Sequence, residues 1–222
     1  MPGGRILVGP SAYTGGMRWS MVEEQQPRLA AASRQRLIEP GVVLVATIRR
    51  DGTPRLSPVE PFLLDGELWL SMMPTSRKAS DLDRDPRVLV HSVIVSRDGG
   101  EGEFKVRGVA RDEPDLEVQG RYAAAVGPAL GWSPTPGSFR LFAVDVLDIT
   151  VIRYESETGD QFVTRWPSGG EFVRRGTSAT TLGPPTPHPD LLDAPGQLAP
   201  GQLAPGQLAP GEGMPGRAAP GD

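Results

Sequence analysis

The residues best suited to chemistry lie between Thr75 and Lys78, where a helix is predicted to begin. Thr75 or Ser76 can cap this helix with its hydroxyl group, and the first turn then carries Arg77 and Lys78. Two cations at the positive end of a helix dipole cost about 0.3–1 kcal/mol each unless an anion lies between them. The hydroxyl groups, the free backbone N–H groups and the two cations together predict a phosphate site.

The same residues allow a second interpretation that needs no ligand. Arg77 and Lys78 can form a solvated helix face that pairs with Asp81, which follows them at i+4 and i+3. Residue types alone do not decide between a phosphate site and this surface ion pair.

Strand and turn signals surround the predicted helix. An apolar run at 42–48 is typical of a buried strand, and Asp51-Gly52 predicts the turn into a return strand at 54–64. Pro58 and Pro61 place parts of that strand at an edge, at a bulge or beside a ligand. Proline has no backbone N–H and cannot donate a hydrogen bond to a neighbouring strand. Further strands are predicted at 68–72, 87–95, 104–110, 139–144, 146–154 and 161–166, and helices at 25–38, 76–84 and 115–126.

The run from 42 to 92 resembles the flavin-binding split-barrel family, which is the pyridoxamine 5'-phosphate oxidase-like and flavin/deazaflavin oxidoreductase superfamily. The similar pieces are LVATIRRDGTPRLSPV (44–59), DGELWLS (65–71) and SRKASDLDRDPRVLVHS (76–92). With the strand count, the resemblance implies a mostly β, α+β fold: a six-stranded antiparallel split β-barrel with two or three flanking helices. It also implies a homodimeric oxidoreductase that binds FMN, or alternatively a deazaflavin, and transfers hydride to or from a small-molecule substrate.

The resemblance also assigns cofactor contacts. Ser76, Arg77 and Lys78 match the family residues that hold the cofactor's phosphate. Contacts to the ring, the ribityl chain and the neighbouring segment match Arg55, Leu56, Ser57, Ser71 and Met72. No catalytic residue is predicted, because in such enzymes the ring of the cofactor performs the hydride transfer.

The substrate does not follow from the family name. Pyridoxamine 5'-phosphate oxidases end in an Arg-Leu-x-Pro type segment that holds the substrate's phosphate, whereas PSGGEFVRRG follows Trp166 here. Vitamin B6 oxidation is therefore not assigned. Between the cofactors, FMN is the default, and the longer acidic tail of a deazaflavin would need further basic residues, for which Arg49, Arg50 and Arg55 are candidates.

A non-catalytic flavin- or haem-binding split barrel is the alternative function. Haem needs an axial ligand, and His91 is the candidate within the predicted domain. A lone histidine in such a strand is more often a hydrogen-bonded core or interface residue. His188, the other histidine, falls in the predicted tail.

Composition narrows the classes of partner. The net charge is −4 at pH 7, so the chain has no basic footprint for nucleic acid. With no cysteine, disulfides and cysteine-based metal sites are excluded, and no metal site is predicted. No apolar run approaches the roughly 20 residues of a membrane span, so we expect a cytoplasmic protein without a membrane partner.

Three regions are predicted along the chain. Residues 1–22 read as a flexible leader, and a translation start near Met21 would then leave the fold intact. Residues 23–182 form the split-barrel domain. Residues 183–222 hold ten of the 24 prolines and the repeat APGQL three times in succession, a composition that predicts a disordered tail.

Overall fold

A computed structural model describes residues 15–95, 97, 99–131, 133–189 and 191 of the chain. The described part consists mainly of antiparallel strands with four α-helices, which confirms the predicted α+β class. The helices are α1 (Trp19–Gln25), α2 (Pro27–Ser33), α3 (Arg77–Arg84) and α4 (Leu116–Leu130), and a π-helical segment spans Arg34–Ile38. The strands are β1 (Val43–Ile48), β2 (Pro54–Val59), β3 (Pro61–Leu64), β4 (Glu67–Met72), β5 (Arg87–Ser92), β6 (Glu103–Asp112), β7 (Arg140–Tyr154), β8 (Gln161–Trp166), β9 (Gly170–Ser178) and β10 (Thr181–Pro187).

The strands β1 to β7 form an open, split barrel. The order of pairing is β1-β5-β6-β7-β4-β3, and β2 returns to β1. Only Glu60 separates β2 from β3, while Val59 pairs with Val43 and Pro61 pairs with Leu70. Because β2 and β3 are two halves of one bent strand, the barrel has the predicted six strands and is split at this bend, where each half pairs on one side only.

The prolines of the bent strand lie at these edges. Pro58 is in register with Leu44 of β1, and Pro61 begins β3. Neither residue has to donate a hydrogen bond to a second neighbouring strand, as the edge prediction requires.

The barrel interior and a smaller aromatic layer form two cores. Fully buried residues such as Val43, Val45 and Phe104 fill the barrel. Outside it, α4 packs Tyr122 against Trp69 and Phe139 of the second cluster, with ring centroids 6.4 and 5.8 Å apart. No helix in the described residues is long and apolar enough to cross a membrane.

The leader predicted over residues 1–22 is wrong from residue 15 onward. Met17 exchanges two backbone hydrogen bonds of 2.8 Å with Val146, and α1 buries Trp19 and Val22 to 1% and 0% exposure. A helix of seven residues without a capping side chain leaves little periodic signal, which is why the pattern was too short to predict. Residues 1–14 lie outside the described residues.

The predicted tail begins too early, because β10 pairs with β9 over residues assigned to it. His188 donates its backbone N–H to the Glu171 carbonyl at 2.9 Å, and its ring lies 6.0 Å from that of Phe162. A proline-rich strand is tolerated here since β10 is the outermost strand of the sheet. The APGQL repeats lie outside the described residues.

Candidate functional site

The start of α3 presents free backbone donors. Ser76 is the N-cap, and its Oγ accepts a hydrogen bond from the Ala79 N–H at 3.3 Å. The N–H groups of Arg77 and Lys78 precede the first intrahelical hydrogen bond and have no helical carbonyl to donate to. The predicted cap is thus in place, and two amides point out of the helix beside two cationic side chains.

Asp81 anchors α3 to the β1–β2 hairpin. Its carboxylate accepts hydrogen bonds from Arg55 Nε at 2.6 Å, Thr47 Oγ1 at 3.0 Å and Arg84 Nη2 at 3.1 Å. Burial alone would raise the pKa of this carboxyl, but the bonds from these three donors outweigh burial and hold it below its ordinary value. Asp81 is therefore a buried anion committed to positioning the helix.

This geometry overturns the ion-pair interpretation of the helix start. Asp81 forms ion pairs with Arg55 and Arg84. It forms none with Arg77 or Lys78. Within the described residues, neither Arg77 nor Lys78 has a carboxylate partner, and the first turn contains no acidic residue. Both cations are available to an external anion.

Lys78 faces a concavity of about 380 Å³ where the β2–β3 bend, the end of β4 and the loop after α4 meet. We call it the Lys78 concavity; it is lined by Val42, Pro58, Val59, Glu60, Ser71, Met72, Met73, Lys78, Pro134, Ser138 and Phe139. Apolar side chains dominate the lining, and the lysine supplies its one cation. This volume and composition lie in the range of small-molecule sites.

Ser71 of the Lys78 concavity lies near the Tyr122 hydroxyl, which belongs to the aromatic layer outside the barrel. Tyr122 is 2% exposed, and this burial raises its pKa to about 12, although the nearby Ser71 acts in the opposite direction. The phenol therefore stays protonated at neutral pH.

Arg77 faces a second and larger concavity of about 1000 Å³ between α3 and the β1–β2 turn. We call it the arginine concavity; it is lined by Arg49, Arg50, Asp51, Arg55, Arg77, Ser80, Asp81 and Arg84. Because consecutive helical residues point about 100° apart, Arg77 and Lys78 serve different concavities from one helix start.

The predicted cofactor contacts therefore divide into groups. Ser71, Met72 and Lys78 line the Lys78 concavity, while Arg55 and Arg77 line the arginine concavity. Ser76 lies at the helix start. Leu56 and Ser57 line neither concavity: Leu56 is 62% exposed, and Ser57 is half-buried opposite Val45.

His91 is held on both sides by oxygen atoms. Its Nδ1 lies 2.6 Å from the Ser92 carbonyl oxygen, and its Nε2 lies 3.3 Å from a carboxylate oxygen of Glu103. Glu103 also pairs with Lys105. A haem iron would have to displace one of these partners, so this geometry does not favour His91 as an axial ligand.

Several residues of the site were not identified from the sequence. Asp81 and Arg84 were missed as anchors, although Thr47, a hydroxyl inside an apolar strand, signals a buried polar partner. Glu60, Ser138 and Phe139 reach the Lys78 concavity only through the folding of the barrel and carry no local signal.

A family model described as pyridoxamine 5'-phosphate oxidase matches residues 29–155, more than half of the chain. The chain belongs to this family. The match spans α2 to β7, so it includes the whole barrel and α3, whereas β8, β9 and β10 lie beyond it.

Solved structures to which the chain is similar include an F420 reductase, with 18% identity, a TM-score of 0.42, and coverage of 52% of this chain and 94% of that one. A putative pyridoxamine 5'-phosphate oxidase from Listeria innocua shares 18% identity at a TM-score of 0.47, covering 57% of this chain and 97% of that one. A heme binding protein from Mycobacterium smegmatis shares 24% identity at a TM-score of 0.45, covering 60% of this chain and 57% of that one. No curated protein is significantly similar in sequence.

Proposed function

We propose that the protein is a flavin- or deazaflavin-dependent oxidoreductase that acts on a small molecule. Its cofactor, FMN or a deazaflavin, binds with the phosphate at the start of α3 and the ring in the Lys78 concavity. The observation that carries this proposal is the pair of cations at Arg77 and Lys78, unpaired within the described residues, beside two free amides and a largely apolar concavity.

The residues present fit a phosphorylated aromatic cofactor. The cap hydroxyl of Ser76, the amides of Arg77 and Lys78 and the two side chains supply donors of the kind that bind phosphate. Met72, Val59 and Phe139 offer apolar surface to a ring. The network around Asp81 fixes α3 before any ligand arrives, which reduces the ordering cost of binding.

The roles of the cofactor and of the protein chain follow from this fit. The cofactor, when bound, supplies the ring that accepts or donates a hydride. The chain binds the phosphate, orients the ring and excludes water with its apolar lining. No side chain in the Lys78 concavity needs to act as a nucleophile or a metal ligand for this role.

A second copy of the chain covers the Lys78 concavity in this proposal. Met73, on its rim, is 70% exposed, and Leu56 is 62% exposed on the same strand face as Pro58. Apolar side chains exposed beside an open concavity are typical of an interface. We expect a dimer for the wild type and a monomer for Leu56→Asp by sedimentation; a monomeric wild type would refute the dimer.

The two lysines of the chain provide a matched test of the phosphate site. FMN and a deazaflavin are titrated separately into the wild type, Lys78→Ala and Lys105→Ala, with visible absorption as the readout. Lys78→Ala should weaken binding by about 1.5–3 kcal/mol, or roughly ten- to 150-fold, because a charge-assisted hydrogen bond is lost. Lys105 pairs with Glu103 outside the site, so Lys105→Ala should bind like the wild type.

Equal affinity of the wild type and Lys78→Ala for both cofactors would contradict the phosphate site. The same titration with haem addresses the non-catalytic alternative. Haem binding that is lost in His91→Ala would replace the proposed function by the haem-binding one.

A further inference from the structure

The lining of the Lys78 concavity includes a carboxylate that the phosphate site does not use, that of Glu60. Glu60 is exposed, and among the described residues it has neither an ion pair nor a side-chain hydrogen bond. By contrast, Asp81 and Asp83 of the neighbouring helix α3 are both paired with arginines. Glu60 therefore places a negative charge in the candidate site, and no described residue neutralises it.

The two opposite charges of the concavity stand apart. Glu60 and Lys78 line the same concavity but do not form an ion pair. Lys78 belongs to the first turn of α3, whereas Glu60 is the single residue between β2 and β3. The cation thus lies at the proposed phosphate site, and the anion lies at the bend where the barrel is split. A ligand that fills the concavity meets a positive group at the helix and a negative group at the bend.

The sheet register brings a hydroxyl group to Glu60. Pro61 pairs with Leu70, so the next position of this antiparallel register lies between Glu60 and Ser71. The surroundings of Tyr122 agree with this placement, because its hydroxyl lies near Ser71. Burial is the main cause of the raised pKa of Tyr122, and the negative charge of Glu60 adds to it. Glu60 and Ser71 are therefore neighbours on one side of the concavity.

A second hydroxyl group in the lining is also free to accept a hydrogen bond. Ser138 donates its own hydroxyl hydrogen to the Thr135 carbonyl oxygen at 2.7 Å, and its Oγ keeps acceptor capacity. Together with the carboxylate of Glu60 and the hydroxyl of Ser71, the concavity offers three polar groups that accept hydrogen bonds. An ammonium group carries one positive charge and three N–H donors, so it matches this set.

From this arrangement we infer that Glu60 selects substrates that carry a protonated amine: its carboxylate binds the ammonium group, and Ser71 and Ser138 accept the remaining N–H donors. The inference rests on the proposed function and narrows it, because it names the class of substrate that enters the site. The other lining residues are mostly apolar, so the rest of such a substrate is a hydrocarbon or aromatic group. The same carboxylate repels substrates that would place a phosphate or carboxylate at the bend.

Glu60→Gln is the variant that tests this role, since it removes the charge and keeps the shape of an exposed side chain. The matched control is Glu24→Gln in α1, which removes another exposed carboxylate that has no ion pair in the described part of the chain. Three probes of similar size differ in charge: benzylamine, benzyl alcohol and benzoate. Each is titrated calorimetrically into the wild type and both variants, with and without saturating FMN or deazaflavin.

We expect the wild type and Glu24→Gln to bind benzylamine more tightly than benzyl alcohol or benzoate. Glu60→Gln should bind benzylamine roughly ten-fold more weakly than the wild type, which is the lower end for a hydrogen bond to a charged group because Glu60 is exposed. This difference should shrink as salt is raised. The affinity for benzyl alcohol, which has no charge, should be the same in all three proteins.

Equal affinity of the wild type and Glu60→Gln for benzylamine overturns the inference. A wild type that binds no benzylamine under either condition, or that binds benzoate as tightly as benzylamine, also overturns it. Sedimentation adds a further test, because a cation of a second copy could pair with Glu60 across the proposed dimer interface. A dimer that dissociates in Glu60→Gln assigns Glu60 to that interface and overturns the inference, whereas an unchanged dimer supports it.

The inference and the proposed function fail in different ways. If the protein retains no flavin or deazaflavin but binds benzylamine through Glu60, the oxidoreductase is refuted and the amine site is kept. If the protein retains a cofactor but shows no preference for benzylamine, the phosphate site at Lys78 is kept and the amine site is refuted.

Discussion

Replacing Asp81 with asparagine removes the charge on which the position of α3 depends. Three donors converge on this carboxylate, which is 4% exposed. A hydrogen bond to a charged group contributes about 1.5–3 kcal/mol. The side chains of Arg55 and Arg84 are 20% and 37% exposed, so water can hydrogen-bond to them once the carboxylate is lost. The free energy lost is therefore smaller than the sum of three such hydrogen bonds. We expect Asp81→Asn to lower the free energy of unfolding by about 2–3 kcal/mol at neutral pH.

The effect should also depend on pH, with a sign fixed by the lowered pKa of Asp81. A carboxyl whose pKa is lower in the folded protein stabilises it above the unfolded value, which is near 4 for aspartate. That contribution is lost as the pH falls through the folded pKa. The difference between the wild type and Asp81→Asn should therefore be constant from pH 7 down to about 5 and shrink below about 4.

Urea denaturation of both proteins across this pH range is the assay, and Asp83→Asn is the control on the same helix. Asp83 is 48% exposed and pairs with Arg140 at 2.7 Å, so its loss should cost less than about 1 kcal/mol. Equal stability of Asp81→Asn and the wild type at pH 7 would refute the anchoring role, as would a difference that persists unchanged at low pH.

Three further perturbations address other parts of the fold. Trp19→Ala should lower the free energy of unfolding in urea by about 3–5 kcal/mol, because Trp19 is a core residue; an unaffected protein would restore the leader interpretation. Gly108→Ala should cost about 1–3 kcal/mol in the same assay, since its Cβ would lie 2.6 Å from the Asp145 carbonyl oxygen across a β-bulge; wild-type stability would show that the strands can separate. In an ultraviolet pH titration, Tyr122 should ionise near pH 12, and the late step should vanish in Tyr122→Phe; a Tyr122→Phe titration identical to the wild type would contradict the assigned burial.

Local signals predicted the first half of the barrel well. Asp51-Gly52 is the predicted turn, and its glycine has a positive φ of 85°. The Ser76 cap places the start of α3 within a residue of its prediction. These features depend on a few neighbouring residues, which a sequence displays directly.

The predicted helix over 25–38 shows where a local pattern misleads. Gln26 adopts φ −140° and ψ 65°, which ends α1 before Pro27 and starts α2. The residue before a proline is biased away from helical geometry, so the break had a signal that the alanine-rich propensity of the segment obscured.

The candidate site was harder to predict because its geometry is tertiary. The pairing of Asp81 depends on Arg55, 26 residues away in sequence. The separation of Arg77 and Lys78 into two concavities depends on the hairpin that packs against one face of α3. Spacing along the chain placed the right residue types together, and only the fold shows which of them remain free.

The most direct test of the account is the visible absorption spectrum of the purified protein, recorded again after FMN, a deazaflavin and haem are added separately and unbound ligand is removed. We predict retained bands at about 450 and 375 nm for a flavin, or one band at about 420 nm for a deazaflavin, as the cofactors themselves show. If the protein retains neither FMN nor the deazaflavin, or if it retains only haem and shows a Soret band, the assignment of Ser76, Arg77 and Lys78 as a flavin-phosphate site is contradicted.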